Sequence, residues 1–401
     1  MSIRRLKMSI GLRSIDNPRS DFQHPRRTRA FRMVLAGGPL PFLPVLAPGP
    51  SSRGVSSIMR FPIDPAGLQR RRLFKFTASA LAMQAVAACG GDANAAGGNA
   101  SDAVREAVAG FGALAPEGTH CLVRADVPNA PWSASYNPDR QLFIGSAVKT
   151  FILGQFVIDA ETSYNGISGN MPQTISDAVR SPGSPVFVNL DGTLPAKYAL
   201  EAMIAHSDNT ATDMAYAAVG ADRVRQLIAR AGLTHTRIPD STRRLFSYLT
   251  GAPDGVDLGW EALMAELAKP SLPNARQAIN DKQSMLSTAT ELVEWYRQSL
   301  SGKFFTQPAT MTEFKRILAM ADAISLVVPA DIIAYGKGGS IDWLDFHTIS
   351  FPGQMIVDRV PVTFCFTYNW RGPESSTGAP FQAFVKAVRP VLQACVDAIR
   401  K

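Results

Sequence analysis

Ser146 and Lys149 stand three residues apart where one apolar run, Leu142-Phe143-Ile144, passes through Gly145 toward another, Phe151-Ile152-Leu153. On a helical turn, positions i and i+3 share a face, so this spacing sets the Lys149 amine beside the Ser146 hydroxyl. A serine hydroxyl is a poor nucleophile until a neighbouring base takes its proton. Lysine serves as that base only when burial lowers its pKa, and the apolar flanks favour burial. Ser-x-x-Lys alone arises by chance in most chains of this length, so its weight depends on the stretches downstream. Ser207-Asp208-Asn209 comes after the helix-like Tyr198-Ala199-Leu200-Glu201-Ala202-Met203-Ile204-Ala205-His206, and Lys337-Gly338-Gly339-Ser340 after Ile332-Ile333-Ala334-Tyr335. Singly, the first reads as the cap of a helix over residues 211–219 and the second as an ordinary turn between strands. Three agreements in order weigh against chance.

Ser-x-x-Lys, Ser-Asp-Asn and Lys-Thr/Ser-Gly, in that order, form the signature of the penicillin-recognising serine hydrolases. From about residue 110 to its end the chain resembles a class A β-lactamase. Two stretches match fully, and Lys337-Gly338-Gly339 matches in part. The resemblance implies an acyl-enzyme on Ser146, with Lys149 keeping the hydroxyl activated and Ser207 relaying a proton to the leaving nitrogen. It implies that Asn209 holds Lys149 and the substrate amide and that Lys337 places positive charge near the substrate carboxylate. Gly339 and Ser340 are carried over as substrate-binding, and the backbone amides of Ser146 and Ser340 as the oxyanion site. Asp208 is read as structural, bonding within its own turn. Neither metal nor cofactor is expected.

Three departures bear on function. Class A enzymes carry Glu-x-x-Leu-Asn after Ser-Asp-Asn, its glutamate positioning the water that releases the acyl group, and this chain has none. The corresponding stretch reads Arg237-Ile238-Pro239-Asp240-Ser241-Thr242-Arg243-Arg244-Leu245-Phe246, with Thr242 where the glutamate belongs. A threonine is no general base near neutral pH. Asp240, Asp254, Asp257 and Glu261 are nearby substitutes only if their loop folds over the site, and surface solvation is the plainer fate of each. Acylation is therefore expected to be ready and release slow. Second, Gly338 replaces the hydroxyl residue that usually meets the substrate carboxylate, a loss Ser340 makes good in part. Third, no arginine lies between Lys337 and Phe351; His347 does, and a lone histidine on a strand is more often structural.

Elements must hold these residues in place. Asp102–Gly112 reads as an amphipathic helix with Val104, Ala107 and Val108 on one face. Residues 119–127 and 132–136 read as strands around a proline-bearing turn, residues 150–320 as a long helical stretch, and 331–335, 347–351 and 360–368 as strands. Residues 380–400 form a closing amphipathic helix. Strands at both ends with helices between them suit an α/β (α+β) fold: an antiparallel sheet flanked by helices plus an inserted all-helical lobe, the architecture the resemblance implies. The domain is expected over 102–401.

The 401 residues are 46% apolar and 18% charged, enough for a large core and unlike a disordered chain. The net charge of +8 is concentrated before residue 76, in Arg4, Arg5, Lys7, Arg26, Arg27, Arg29 and Arg70-Arg71-Arg72 among others. The remainder is close to neutral, which speaks against a nucleic-acid role. Residues 1–58 read as an unstructured extension, and Met59 offers a better start. From there, a basic run ending at Lys75 and an apolar segment over 76–88 fit a signal peptide. Arg71-Arg72-Leu73-Phe74-Lys75 also resembles a twin-arginine export signal. Val86-Ala87-Ala88-Cys89 resembles a lipoprotein cleavage box. Lipidation of Cys89 is the favoured reading, and a plain cut with the cysteine incidental is the other. Residues 89–101 come next as a flexible tether. No cysteine spacing suits zinc, and Cys121 and Cys365 are expected to be buried free thiols.

The sequence thus reads as an exported, monomeric serine hydrolase of the periplasm or cell envelope, acting on a small-molecule or peptide substrate. A penicillin-binding DD-peptidase or esterase-like relative is the second reading. A catalytically idle envelope lipoprotein, held by lipidated Cys89, is the third.

Overall fold

A computed structural model describes residues 98–401; the expected extension, signal segment and Cys89 lie outside the described residues. Strand β1 (Gly98–Asn99) pairs in parallel with the start of β3, so the folded part begins before the expected end of the tether at 101. Ser101 then caps α1 (Asp102–Gly112) by accepting the Val104 amide. Strands β2 (Thr119–Ala125) and β3 (Trp132–Tyr136) come next, then β4 (Leu142–Phe143) and α2 (Lys149–Glu161).

The helical lobe runs from α2 through a small hairpin, β5 (Pro172–Ile175) and β6 (Gly192–Pro195), into α3 (Ala196–Ala205), α4 (Asn209–Val219), α5 (Ala221–Arg230), α6 (Thr242–Leu249) and α7 (Trp260–Leu267). After β7 (Leu286–Ser287), α8 (Ala289–Leu300) and α9 (Pro308–Leu318), the chain returns to the sheet as β8 (Ile333–Gly336), β9 (Gly339–Trp343), β10 (Phe346–Val357) and β11 (Val360–Arg371), and closes with α10 (Gly378–Arg400). Among the described residues no helix is long and apolar enough to cross a membrane.

Strand order in the main sheet is β1-β3-β2-β11-β10-β8, with β9 also on β10. Apart from β1 all pairings are antiparallel. Alternate side chains point to opposite faces. Phe366 meets Phe111 of α1 at 5.2 Å, and Phe351 meets Phe384 of α10 at 5.1 Å, so these two helices cover one face. Helix α8 packs across β2, β10 and β11 on the other. Helix α2 is apolar nearly all round and almost wholly buried, as a helix enclosed by others must be. Its Phe151 lies 4.8 Å from Trp295 of α8, whose indole N–H donates to Thr150 at 2.9 Å.

Strands β8 and β9 together make one interrupted edge strand along β10, and Lys337-Gly338 is the interruption. Pro352 faces it: its carbonyl accepts the Lys337 amide at 3.2 Å. In an antiparallel ladder a residue's nitrogen points the same way as its carbonyl, so at this position the missing N–H of proline costs little. That is why β10 continues to Val357 where the sequence suggests an end at 351. Cys121, Cys365 and Cys395 are buried free thiols.

Candidate active site

The nucleophile turn is held from three sides. Strand β4 pairs with β7, and the Ile144 amide donates to the Met285 carbonyl at 2.8 Å. Asn369 of β11 binds the Phe143 backbone in both directions, accepting its N–H at 2.9 Å and donating to its carbonyl at 2.8 Å; Thr348 donates to the same carbonyl. Gly145 then adopts φ +53, a conformation glycine takes at little cost, and a tight turn over Gly145–Val148 feeds α2. Ser146 sits half-buried in that turn, and Lys149 is the first residue of the helix.

Lys149 is 0% exposed. Its amine donates at 2.6 Å to the Ser207 carbonyl, at 3.2 Å to the Ser207 hydroxyl and at 2.7 Å to Oδ1 of Asn209. Burial, and then the charge of Lys337, push its pKa well below the ordinary lysine value; Asp208 and Asp213 work in the opposite direction. The expected neighbours are thus assembled around this amine, although its bonds go to Ser207 and Asn209, with none to Ser146.

Ser207-Asp208-Asn209 both caps a helix and lines a site. Asp208 caps α4 through the Ala211 amide at 2.8 Å and accepts the Val186 and Phe187 amides at 2.9 Å. It is structural, as expected, and ties a second loop to its own turn. Ser207 takes the left-handed conformation at φ 59, which presents its carbonyl and hydroxyl to Lys149. The Asn209 amide nitrogen donates to the Pro182 carbonyl at 2.6 Å, so this side chain bridges the lysine to the 181–187 loop.

Lys337-Gly338-Gly339 is the break and restart of the edge strand. A methyl built on Gly339 would stand 2.0 Å from the Ile144 carbonyl and 3.0 Å from the Ser146 nitrogen; one on Gly145 would stand 2.8 Å from the Ser340 nitrogen. Only glycine at both positions lets β9 press against the nucleophile turn, which brings the Ser146 and Ser340 amides together beside Ser146. Lys337 is 2% exposed and donates to the Gly338 carbonyl at 2.6 Å. Burial lowers its pKa to about 7, against the pull of Asp322.

Opposite, Asp213, one helical turn beyond Asn209 on α4, accepts the Thr242 amide at 2.7 Å and the Arg243 amide at 2.9 Å. It thereby caps α6 and fixes Thr242 against α4, with the threonine side chain buried. Burial raises the Asp213 carboxyl to about 6, in spite of these amides. The acidic substitutes for a glutamate are committed or solvated. Asp240 is bound by Arg225 and Gln283, Asp257 pairs twice with Arg243 at 2.7 and 2.8 Å, and Asp254 and Glu261 are exposed.

His347 is fully buried, one ring nitrogen 2.8 Å from Asp342 and the other 2.8 Å from the Gly372 carbonyl. Both nitrogens are occupied, so it is no free anion partner. Asn369, Asp213 and Gly145 are site-positioning residues that reading the sequence does not single out, whereas Gly339, expected as substrate-binding, is placed against the nucleophile turn. The one available signal is polarity: Asn369 interrupts a β-branched and aromatic run.

The class that this fold and site define is the serine β-lactamase-type hydrolase. A model of the Beta-lactamase enzyme family matches residues 103–348, and the chain belongs to that family. Among solved structures, a β-lactamase from Sphaerobacter thermophilus is 19% identical, over 74% of this chain and 96% of its own, with a TM-score of 0.54. A β-lactamase from Chitinophaga pinensis is 15% identical over 74% and 99%, TM-score 0.57. A mutant PBP-A in acyl-enzyme complex with penicillin G is 15% identical over 73% and 95%, TM-score 0.52. These likenesses establish the shared fold. No curated protein sequence matches.

Proposed function

We propose that the protein is an exported, class A-type serine hydrolase that forms an acyl-enzyme on Ser146 and releases β-lactam acyl groups slowly. The observation that carries this reading is the fully buried Lys149 amine, bonded to Ser207 and Asn209 one turn from Ser146. Lys149 removes the hydroxyl proton as Ser146 attacks the carbonyl carbon. The Ser146 and Ser340 amides receive the developing oxyanion, and Ser207 passes the proton to the leaving nitrogen. Slow release is supported by Thr242 in place of a glutamate and by the prior engagement of Asp240 and Asp257. The same chemistry suits a penicillin-binding peptidase, and those engaged carboxylates favour that second reading where water attack is concerned.

Intact-protein mass spectrometry tests this. Incubation with a fluorophosphonate or with benzylpenicillin should add one probe mass, mapped to Ser146 and absent from Ser146→Ala; the penicillin adduct should persist. Labelling that survives in Ser146→Ala, or no labelling by either reagent, would sink the acyl-enzyme and leave a binding role. Rapid loss of the adduct with continued consumption of drug would make the protein an efficient lactamase. Export and attachment through Cys89 belong to the same reading, and a Cys89→Ser form should then leave the membrane fraction.

A further inference from the structure

Beside Ser207, Lys337 and Ser340 opens a cavity of about 630 Å³ that runs from β9 to the start of α10. Its walls come from Ala323, Leu326, Ile349, Phe351 and Phe381, and no arginine lines it. Gly338 belongs to one wall. A methyl there would stand 2.4 Å from the Ala323 side chain, so a serine or threonine hydroxyl has no room at that position. The charged groups are two aspartates on the rim, Asp322 and Asp342, each more than half exposed, with His206 at 3.7 Å from Asp322. The single lysine, Lys337, is turned onto the carbonyl of its neighbour. Trp370 also lines this space.

An anion entering this space would meet apolar walls, two carboxylates and one committed ammonium, with Ser207, Ser340, Thr348, Thr377 and Gln382 as neutral partners, and would lose water without a free cation to replace it. An uncharged group would bury its apolar surface against these walls without that desolvation cost. We propose that this cavity selects acyl donors that are uncharged beside the scissile bond: esters or amides with an apolar leaving portion and no carboxylate there. In the step implied, the Ser146 oxygen bonds to the carbonyl carbon, the bond to the leaving oxygen or nitrogen breaks, and the serine proton ends on the leaving atom. Lys337 reinforces the preference, since a lysine lowered to about 7 is only partly charged at neutral pH.

This inference rests on the acyl-enzyme reading above. The test compares benzylpenicillin with its methyl ester, which differ only in that carboxylate, by the rate of mass gain on Ser146 of the purified full-length protein at pH 7.5. The ester should acylate at least tenfold faster. Equal rates, a faster free acid, or no reaction with either while a fluorophosphonate still labels Ser146 would overturn the proposal. Failure of the fluorophosphonate as well would instead remove the acyl-enzyme reading beneath it. Leu326→Arg, at a wall position already 38% exposed, adds a cation to the cavity. It should shift the rate ratio about tenfold toward the free acid, and an unchanged ratio would show that the carboxylate does not enter this space.

Discussion

A lysine acts as a base only when its surroundings make the ammonium expensive, and here two lysines share one dry region. The charge of Lys337 disfavours that of Lys149 in addition to the effect of burial. Lys149→Ala should slow acylation of Ser146 on the order of 10²-fold or more, the usual scale for a removed general base; an unchanged rate of mass gain would refute its role. Lys337 gives a pH test with a defined sign. Folding lowers its pKa from 10.5 to about 7, so between those values the unfolded chain holds a proton the folded chain has shed. Stability contributed through this group therefore rises with pH across the window. Compared with Lys337→Met, the wild-type urea midpoint should climb from pH 7 to 9. Parallel curves would mean that the amine reaches water.

At the scale of elements, the site depends on how closely an edge strand approaches a turn. Gly145 and Gly339 have no room for a methyl at their contact, and the two amides proposed to receive the oxyanion come from those same segments. Gly339→Ala should push β9 away from Ser146 and cost roughly 10²–10³-fold in acylation, the scale of a lost oxyanion donor. Acylation at the wild-type rate would place the oxyanion elsewhere. The turn itself is held by Asn369, whose side-chain amide pairs with the Phe143 backbone as a strand would. The N-terminus of α6 is held in a comparable way by Asp213. Both are single polar side chains that lock one backbone segment to another.

At the scale of the molecule, the sheet and its last helix bind the ends of the folded part together. Phe384 of α10 is fully buried against Phe111 and Phe351. Phe384→Ala should lower stability by roughly 3–5 kcal/mol, read from denaturant unfolding, as expected for a large ring removed from a packed core. A cost below about 1 kcal/mol would mean that α10 is peripheral. Most of these elements are legible along the chain because their patterns are local. Asp102–Gly112 has the period and cap of a helix, and Trp132–Tyr136 reads as a strand beside a proline turn. Strand β9 is not legible: Gly339 and Ser340 look like a turn, and they become strand only through pairing with Ser350 and Ile349. Strand β10 runs past Pro352 for a reason found only in its neighbour, the break at Lys337-Gly338.

By itself the amino-acid sequence determined which residues are the candidates for the chemistry, because Ser146 with Lys149, Ser207 with Asn209, and Lys337 with Gly339 are recognisable by type, spacing and order. It also determined that the glutamate of the family pattern has no counterpart, since identity at a position needs no fold to be read. Tertiary structure alone decided that the Lys149 amine is bonded to Ser207 and Asn209, that Asp240 and Asp257 are already paired, and that the space beside Ser340 is largely apolar and rimmed by acids. Those properties depend on what packs against a group from far along the chain. Hydrogen-bond partners, ion pairing and cavity lining are sums over non-local neighbours, and no local pattern encodes them.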